Sequence, residues 1–245
     1  AKTGDWTRGI FAMDMDGHGA GSVVSDDRIN SLPSFANGDV LYTSQGDRED
    51  PVIMIGKRKL SKSAGQFRKA VLGPGGSYAV SVDTGSGSDI WLMDGGGNLT
   101  RNLTGGQGDN VSPSWSPDGG MIAFVSNRSG GPQVYVMDAG GGGQRRVTMA
   151  GSYNSTPDFG PDGKIVFAGL DGGNSDIFVT DINGAVTRIT QDQGWNKDPV
   201  WSPDGRWIAF VSSREGGRIF ISTADGRYQF PVSRKPCSCA TPFWR

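Results

Sequence analysis

Three observations predict an all-β chain. A short segment ending in an aromatic or large apolar residue recurs six times, the copies lie about 43 residues apart, and β-branched and aromatic runs alternate with glycine-rich turns between them. The copies are Leu32-Pro33-Ser34-Phe35, Lys69-Ala70-Val71-Leu72, Ser112-Pro113-Ser114-Trp115, Thr156-Pro157-Asp158-Phe159, Asp198-Pro199-Val200-Trp201 and Thr241-Pro242-Phe243-Trp244. From Phe35 onward the spacings are 37, 43, 44, 42 and 43 residues. Four strands fit into each period, which predicts a six-bladed β-propeller of four-stranded antiparallel blades.

The unit from Asp109 to Thr148 shows the elements in order. A strand around Ser112 to Ser116 leads to the turn Ser116-Pro117-Asp118-Gly119, then to Met121 to Ser126, a polar loop, Val134 to Asp138, a glycine-rich turn and Arg145 to Thr148. In the first turn Pro117 presets φ, Asp118 suits the second central position and Gly119 accepts a positive φ. That turn recurs at Gly160 to Gly163 and Ser202 to Gly205, in a looser form at Gly73 to Gly76 and a shorter one at Ala36 to Asp39. Third strands are expected at Ile10 to Asp14, Ile90 to Asp94, Ile177 to Asp181 and Ile219 to Thr223, and fourth strands at Gly21 to Ser25, Thr100 to Thr104, Thr187 to Thr190 and Phe230 to Ser233.

One domain over 1–245 is expected, with blades at 1–25 plus 239–244, 30–62, 66–104, 109–148, 153–190 and 195–233. The segment Cys239 to Trp244 would supply the inner strand missing from the first blade and close the ring by pairing with the N-terminal strands. The blade at Asn30 to Lys62 is the weakest copy, because Pro51 to Ile55 must turn sharply at Gly56-Lys57 into Arg58 to Ser61.

Composition narrows the function. Glycine supplies 40 of 245 residues without a Gly-X-Y period, which argues against collagen, and persistent apolar runs argue against disorder. A formal charge of −1 gives no global attraction for nucleic acid or an anionic membrane. No apolar run is long enough for a membrane helix and the start carries no signal-peptide core, so a processed, non-inserted monomer is expected. Cys237 and Cys239 are too close for an unstrained bridge and have no nearby third ligand, so no metal is expected there.

Candidate chemistry is sparse. Asp14-Met15-Asp16-Gly17-His18-Gly19 resembles the start of a calcium loop, but Ser25 stands where a bidentate Glu is required, and a turn is the better reading. His18 is the only histidine and no Gly-x-Ser-x-Gly elbow exists, which argues against a catalytic triad. Asp26-Asp27 and Asp47 to Asp50 fall in predicted loops as solvated charge. No cofactor and no catalytic residue is assigned. Lys57, Arg58, Lys59, Lys62, Arg68 and Lys69 form a basic run without acids, either a solvated face or a contact for an acidic partner. Nucleic acid is disfavoured because stacking aromatics are sparse within it.

Propeller geometry points to a surface. The loops leading into the first strands, and those joining second to third strands, emerge on one face around the central channel. The former carry Asn30, Ser31, Gln66, Arg68, Lys69, Asp109, Asn110, Val111, Tyr153, Asn154, Thr156, Trp195, Asn196 and Lys197. They differ between copies while the turns at the other face repeat, the pattern of a binding face on a rigid scaffold. Tyr153 and Trp195 are either anchors for a partner or caps on blade interfaces.

The strings from Ser112 to Thr148, Asp198 to Arg227 and Ile10 to Gly19 resemble repeats of the C-terminal six-bladed propeller of the TolB family, and the resemblance covers almost the whole chain. It implies a periplasmic, non-catalytic component of the Tol-Pal system that supports outer-membrane integrity and cell division. It also implies that the named face binds the peptidoglycan-associated lipoprotein Pal, with loops at Gln66, Lys69 and Val111 matching family positions. The N-terminal domain and TolA-contacting segment of that family are absent from the sequence, so coupling to TolA is not assumed. The other expectation is a propeller that binds a glycan or small ligand, or that serves a peptidase or hydrolase as an accessory domain.

Overall fold

The computed structural model describes residues 10–14, 21–62, 65–191, 193–233 and 241–244. Strands β1 (Ile10–Ala12) and β2 (Gly21–Val24) form a two-stranded antiparallel sheet. Five four-stranded antiparallel sheets follow. The first is β3 (Ile29–Ala36), β4 (Asp39–Gln45), β5 (Val52–Ile55) and β6 (Arg58–Lys59). The second is β7 (Gln66–Leu72), β8 (Tyr78–Asp83), β9 (Ser88–Met93) and β10 (Leu99–Asn102), and the third β11 (Asn110–Trp115), β12 (Met121–Ser126), β13 (Gln133–Asp138) and β14 (Arg145–Arg146). The fourth is β15 (Tyr153–Phe159), β16 (Ile165–Asp171), β17 (Asn174–Thr180) and β18 (Val186–Arg188), and the fifth β19 (Asn196–Trp201), β20 (Trp207–Ser212), β21 (Arg218–Thr223) and β22 (Gln229–Pro231).

Each sheet is an up-and-down meander, and the strands β3, β7, β11, β15 and β19 touch one another in that order, forming the inner wall. The apolar cores lie between sheets. Leu41 and Ile53 of the first sheet pack with Phe67, Val80 and Met93 of the second. Ala79 and Ile90 meet Ile122 and Phe124, Val134 and Val136 meet Ile165 and Phe167, and Val166 and Ile177 meet Ile208 and Phe210. A sheet on its own would leave these faces in water, so the stack of neighbours is the stable unit.

The turns behave as their residues require. Gly119, Gly163 and Gly205 have φ of 69°, 77° and 69°. In the Ser116 and Ser202 turns the hydroxyl donates to Asp118 or Asp204 Oδ1 at 2.6 Å in both cases, locking the loop from within. Asn37 and Gly38 both have positive φ, 52° and 84°, which makes the Ala36–Asp39 connection a tight two-residue hairpin of primed type.

The inner strands carry a device that strand patterning does not show. Their pairing shifts register in all five copies: at Ser31/Ser34, Val111/Ser114, Ser155/Asp158 and Lys197/Val200, and one residue earlier in its segment at Phe67/Ala70. In the four copies that carry proline the shift spans it, since proline has no N–H for the ladder. The residue before each proline takes a left-handed conformation: Leu32, Ser112, Thr156, Asp198 and Thr241 have φ of 52°, 55°, 48°, 52° and 47°. In the copy that lacks proline the two unpaired residues are Arg68 and Lys69, and neither is left-handed.

The expectation of six four-stranded blades with a ring closed by strand pairing is corrected. The described residues form five such blades and the β1–β2 pair. At the far end, Thr241 to Trp244 is not a strand and makes no ladder pairing among the described residues. Thr241 is left-handed, like its counterparts in the four paired copies that carry proline, and Pro242 lacks a donor. Cys237 and Cys239, like His18, lie outside the described residues. Phe243 packs on Ile10, Val40 and Tyr42, while Trp244 packs on the Ala209, Ile221 and Val232 cluster of the fifth sheet. Side-chain packing, with a 3.4 Å bond from Trp244 Nε1 to the Val200 carbonyl, connects the two ends of the stack.

Candidate partner-binding site at the channel mouth

Position by position, the inner strands sort their residues into support and display. Asn30, Asn110, Asn154 and Asn196 stand five residues before the terminal aromatic of their copies, and all are buried. Each Nδ2 donates inside the fold: Asn110 to Gly108 O at 2.9 Å and Asp89 Oδ1 at 3.2 Å, Asn154 to Gln133 Oε1 at 2.7 Å, Asn196 to Asp176 Oδ1 at 3.2 Å, and Asn30 to Asp26 Oδ1 at 2.7 Å. The acceptors are themselves held by the end of the fourth strand. Thr104, Thr148 and Thr190 hydroxyls donate to Asp89, Gln133 and Asp176 at 2.6, 2.8 and 2.6 Å, and accept the backbone N–H of Ile90, Val134 and Ile177. This Thr–Asp/Gln–Asn clasp ties the outer strand of one blade to the inner strand of the next. Although burial opposes its ionisation, hydrogen bonds from Thr104, Asn102, Gly106 and Asn110 hold the Asp89 carboxyl below its ordinary value. The four asparagines therefore position the loops from beneath and are not displayed to a partner.

Above them a cavity of about 640 Å³ opens. Six of the expected residues line it: Asp109, Val111, Tyr153, Thr156, Trp195 and Lys197. Asn127 and Pro132 of the loop joining β12 to β13 complete the wall, with the paired strand residues Leu170 of β16 and Ser175 of β17 from the next blade. The Trp195 and Tyr153 side chains are 56% and 48% exposed, so they are presented at the surface and not used as caps on a blade interface. Trp195 is fixed through its backbone, whose N–H donates to Ser213 Oγ at 2.8 Å.

The remaining expected residues lie elsewhere on the inner wall. Gln66 is exposed, Arg68 forms a 3.0 Å ion pair with Asp83, and Asn30 and Ser31 belong to β3 of the first four-stranded sheet. The basic run is divided by the fold. Lys57, Arg58 and Lys59 are exposed on the outer edge around β6, whereas Arg68 and Lys69 sit on the inner strand β7. Two acids of the early loops are structural: Asp26 Oδ1 caps the Arg28 N–H at 3.0 Å, and Glu49 pairs with Arg28 at 2.9 Å.

Deeper in the ring the charges are coupled. Lys69, Asp158 and Asp198 come from three different blades. Burial pushes the Lys69 ammonium below its ordinary value, opposed by Asp158 and Asp198, and burial pushes the Asp158 carboxyl up, opposed by Lys69 and by bonds from Trp201 and Ser114. Asp158 was not expected as a functional residue. The signal was present in the sequence, since it is the only acid inside any of the six recurring segments after their first residue.

Stacked meanders around an inner wall, with a cavity at one mouth and supporting clasps beneath it, define a β-propeller. The chain belongs to the TolB β-propeller domain family, whose model matches residues 2–244. A TolB homolog of Chlorobium luteolum is 42% identical over 53 residues, 22% of this chain and 12% of that protein's length. TolB from Acinetobacter baumannii superposes with a TM-score of 0.79 at 26% identity, covering 89% of this chain and 58% of that one. A TolB-type structure from Agrobacterium tumefaciens gives a TM-score of 0.79 at 22% identity, covering 89% and 86%, and speaks to the fold alone. Among the described residues no helix is long and apolar enough to cross a membrane.

Proposed function

We propose that this chain is a non-catalytic, protein-binding propeller of a periplasmic Tol-Pal system, which receives a Pal-like lipoprotein on the face carrying the mouth cavity and so supports outer-membrane integrity and cell division. The observation that carries this reading is that a half-exposed Trp195 and Tyr153 both line a largely apolar cavity, at the starts of inner strands whose residues there differ from blade to blade. Large aromatic side chains on a rigid frame are the usual anchors of protein interfaces. Membership of the TolB propeller family supports the choice of partner.

The test is a calorimetric titration of the chain with the soluble domain of the Pal lipoprotein from the same organism. Val111→Asp and Trp195→Ala should each weaken binding by about 1–3 kcal/mol, the cost of losing an interface anchor. Unchanged affinity in both variants, or no binding by the wild-type chain, overturns the assignment. Lys69 is unsuited to this test, because reversing a charge set among Asp158 and Asp198 would disturb the ring itself.

A further inference from the structure

The β1–β2 sheet holds the third and fourth strands of a blade and, among the described residues, no second strand pairs with β1. In complete blades the second strand occupies that edge and sends two large side chains onto the preceding sheet. Ile122 and Phe124 pack on Ala79 and Ile90, Ile165 and Phe167 on Val134 and Val136, and Ile208 and Phe210 on Val166 and Ile177.

The side chains around β1 show what is missing. Ile10-Phe11-Ala12-Met13-Asp14 repeats Val134-Tyr135-Val136-Met137-Asp138. Ile10 packs on Val40 and Tyr42 of the first four-stranded sheet, so alternation turns Phe11 and Met13 toward the fifth. Tyr135 and Met137 are buried, whereas Phe11 and Met13 are 52% and 36% exposed. On the fifth sheet Phe230 is 39% exposed and lies edge-on to Trp207, in the cluster that Trp244 also touches. Exposed large apolar groups therefore stand on both sides of a strand edge that has no ladder partner among the described residues.

We infer that this edge accepts an extended strand donated by a partner polypeptide, antiparallel to β1, with the pattern Ile-Ala-Phe-Val opposite Met13, Ala12, Phe11 and Ile10. The complete blades set the register. Ile122 to Val125 stand opposite Met137 to Val134, and Ile208 to Val211 stand opposite Ser222 to Ile219. Large residues opposite Phe11 and Met13 cover the fifth sheet. The residue between them must be small, because its counterpart Ala123 faces the following sheet, and here Phe243 already packs on Val40 and Tyr42 in that direction. Segments 1–9, 15–20 and 234–240 contain no two large apolar residues flanking a small one, and Ile-Ala-Phe-Val occurs in the sequence only at 122–125 and 208–211, where it is already paired. A second copy of the chain thus has no spare strand of this pattern, and the occupant comes from a different polypeptide. In strand addition the main chain supplies affinity and alternate side chains supply selectivity. The surface shares no residue with the mouth cavity, so it is a second binding site independent of the Pal reading.

The probe is the peptide acetyl-Lys-Lys-Ile-Ala-Phe-Val-Ser-Lys-amide, titrated into the whole chain. Its control, acetyl-Lys-Lys-Ile-Pro-Phe-Val-Ser-Lys-amide, keeps the large side chains but cannot pair as an inner strand. At a concentration 100 times its Kd the first peptide should raise the Tm by about 5–10 °C. Amide exchange across 10–13 should slow, and the proline peptide should bind about tenfold more weakly. Phe11→Lys, at an exposed position, should lower the affinity about tenfold, while Trp195→Ala at the mouth should leave it unchanged. Equal binding of the two peptides, binding of neither, an unaltered Phe11→Lys variant, or an equal loss in Trp195→Ala overturns the inference. So does a dimer in sedimentation that the peptide fails to dissociate, since a second copy would then fill the edge.

Discussion

The Ser114 hydroxyl donates to Asp158 Oδ1 at 3.1 Å across 44 residues of sequence. Ser114 Oγ in turn accepts the Phe159 N–H at 3.0 Å, and Asp158 Oδ2 accepts the Trp201 N–H at 2.9 Å. One carboxylate thus joins the inner strands of three consecutive blades at the level of their bulges, where proline has removed a ladder donor. Replacing Asp158 by Ala strands two donors and removes the acid that acts most strongly on Lys69. The expected loss is about 2–4 kcal/mol in urea unfolding. A loss below about 0.5 kcal/mol would show that the bridge is incidental.

The same group makes stability depend on pH with an unusual sign. Asp158 holds its proton more tightly folded than unfolded, because burial raises it, so its contribution to stability declines as pH climbs from 3.8 through the raised folded value. Turn carboxylates act oppositely. Hydrogen bonds from Ser116 and Gly120 to Asp118, and from Ser202 and Arg206 to Asp204, lower both, so their contribution is present above 3.8 and lost as pH falls through the folded values. Comparing urea midpoints of wild type and Asp158→Asn across the acid range should show the variant losing the decline above 3.8 and keeping the acid-side loss. Parallel profiles would contradict it.

Two glycines of equivalent turns should tolerate alanine differently. A Cβ on Gly119 would overlap the Pro74 ring of the neighbouring blade, whereas one on Gly163 would meet nothing within 4 Å. Both have positive φ, so both substitutions carry backbone strain of about 1 kcal/mol. Gly119→Ala should cost about 1–3 kcal/mol beyond that from overpacking. Thermal unfolding of the pair checks the difference, and equal shifts would mean that the turns of adjacent blades can slide apart.

The clasp gives a further expectation. Thr190→Val removes a hydroxyl that both donates to Asp176 and accepts the Ile177 N–H, leaving the buried Ile177 N–H without that acceptor. The cost should be about 1–3 kcal/mol by chemical denaturation, with similar values for Thr104→Val and Thr148→Val. A Thr190 variant as stable as wild type would remove the clasp as an account of how blades are joined.

Much of this was legible in the residues. The period, the Pro-Asp-Gly turns and the loops that meet at the mouth follow from local rules that each copy obeys separately. Ring closure was not legible in that way, because it depends on contacts between distant segments, which Phe243 and Trp244 make through side-chain packing on the first and last four-stranded sheets. The asparagines misled for a different reason. In sequence an amide in a loop looks like a binding group, yet Asn30, Asn110, Asn154 and Asn196 share one offset from their aromatic, and a shared offset in a repeat marks scaffold. That the Thr156 hydroxyl is buried without a hydrogen-bond partner could not be read at all, since Ser112 and Thr241 hold the same place in their copies.

Hydrogen–deuterium exchange of the chain with and without the soluble Pal domain tests most directly the claim that one mouth of the ring is the binding face. Protection should concentrate in 109–111, 153–156 and 195–197, with the turns at 116–120, 160–164 and 202–206 on the other face unchanged. Protection at those turns, or none anywhere at saturating Pal, would contradict the account.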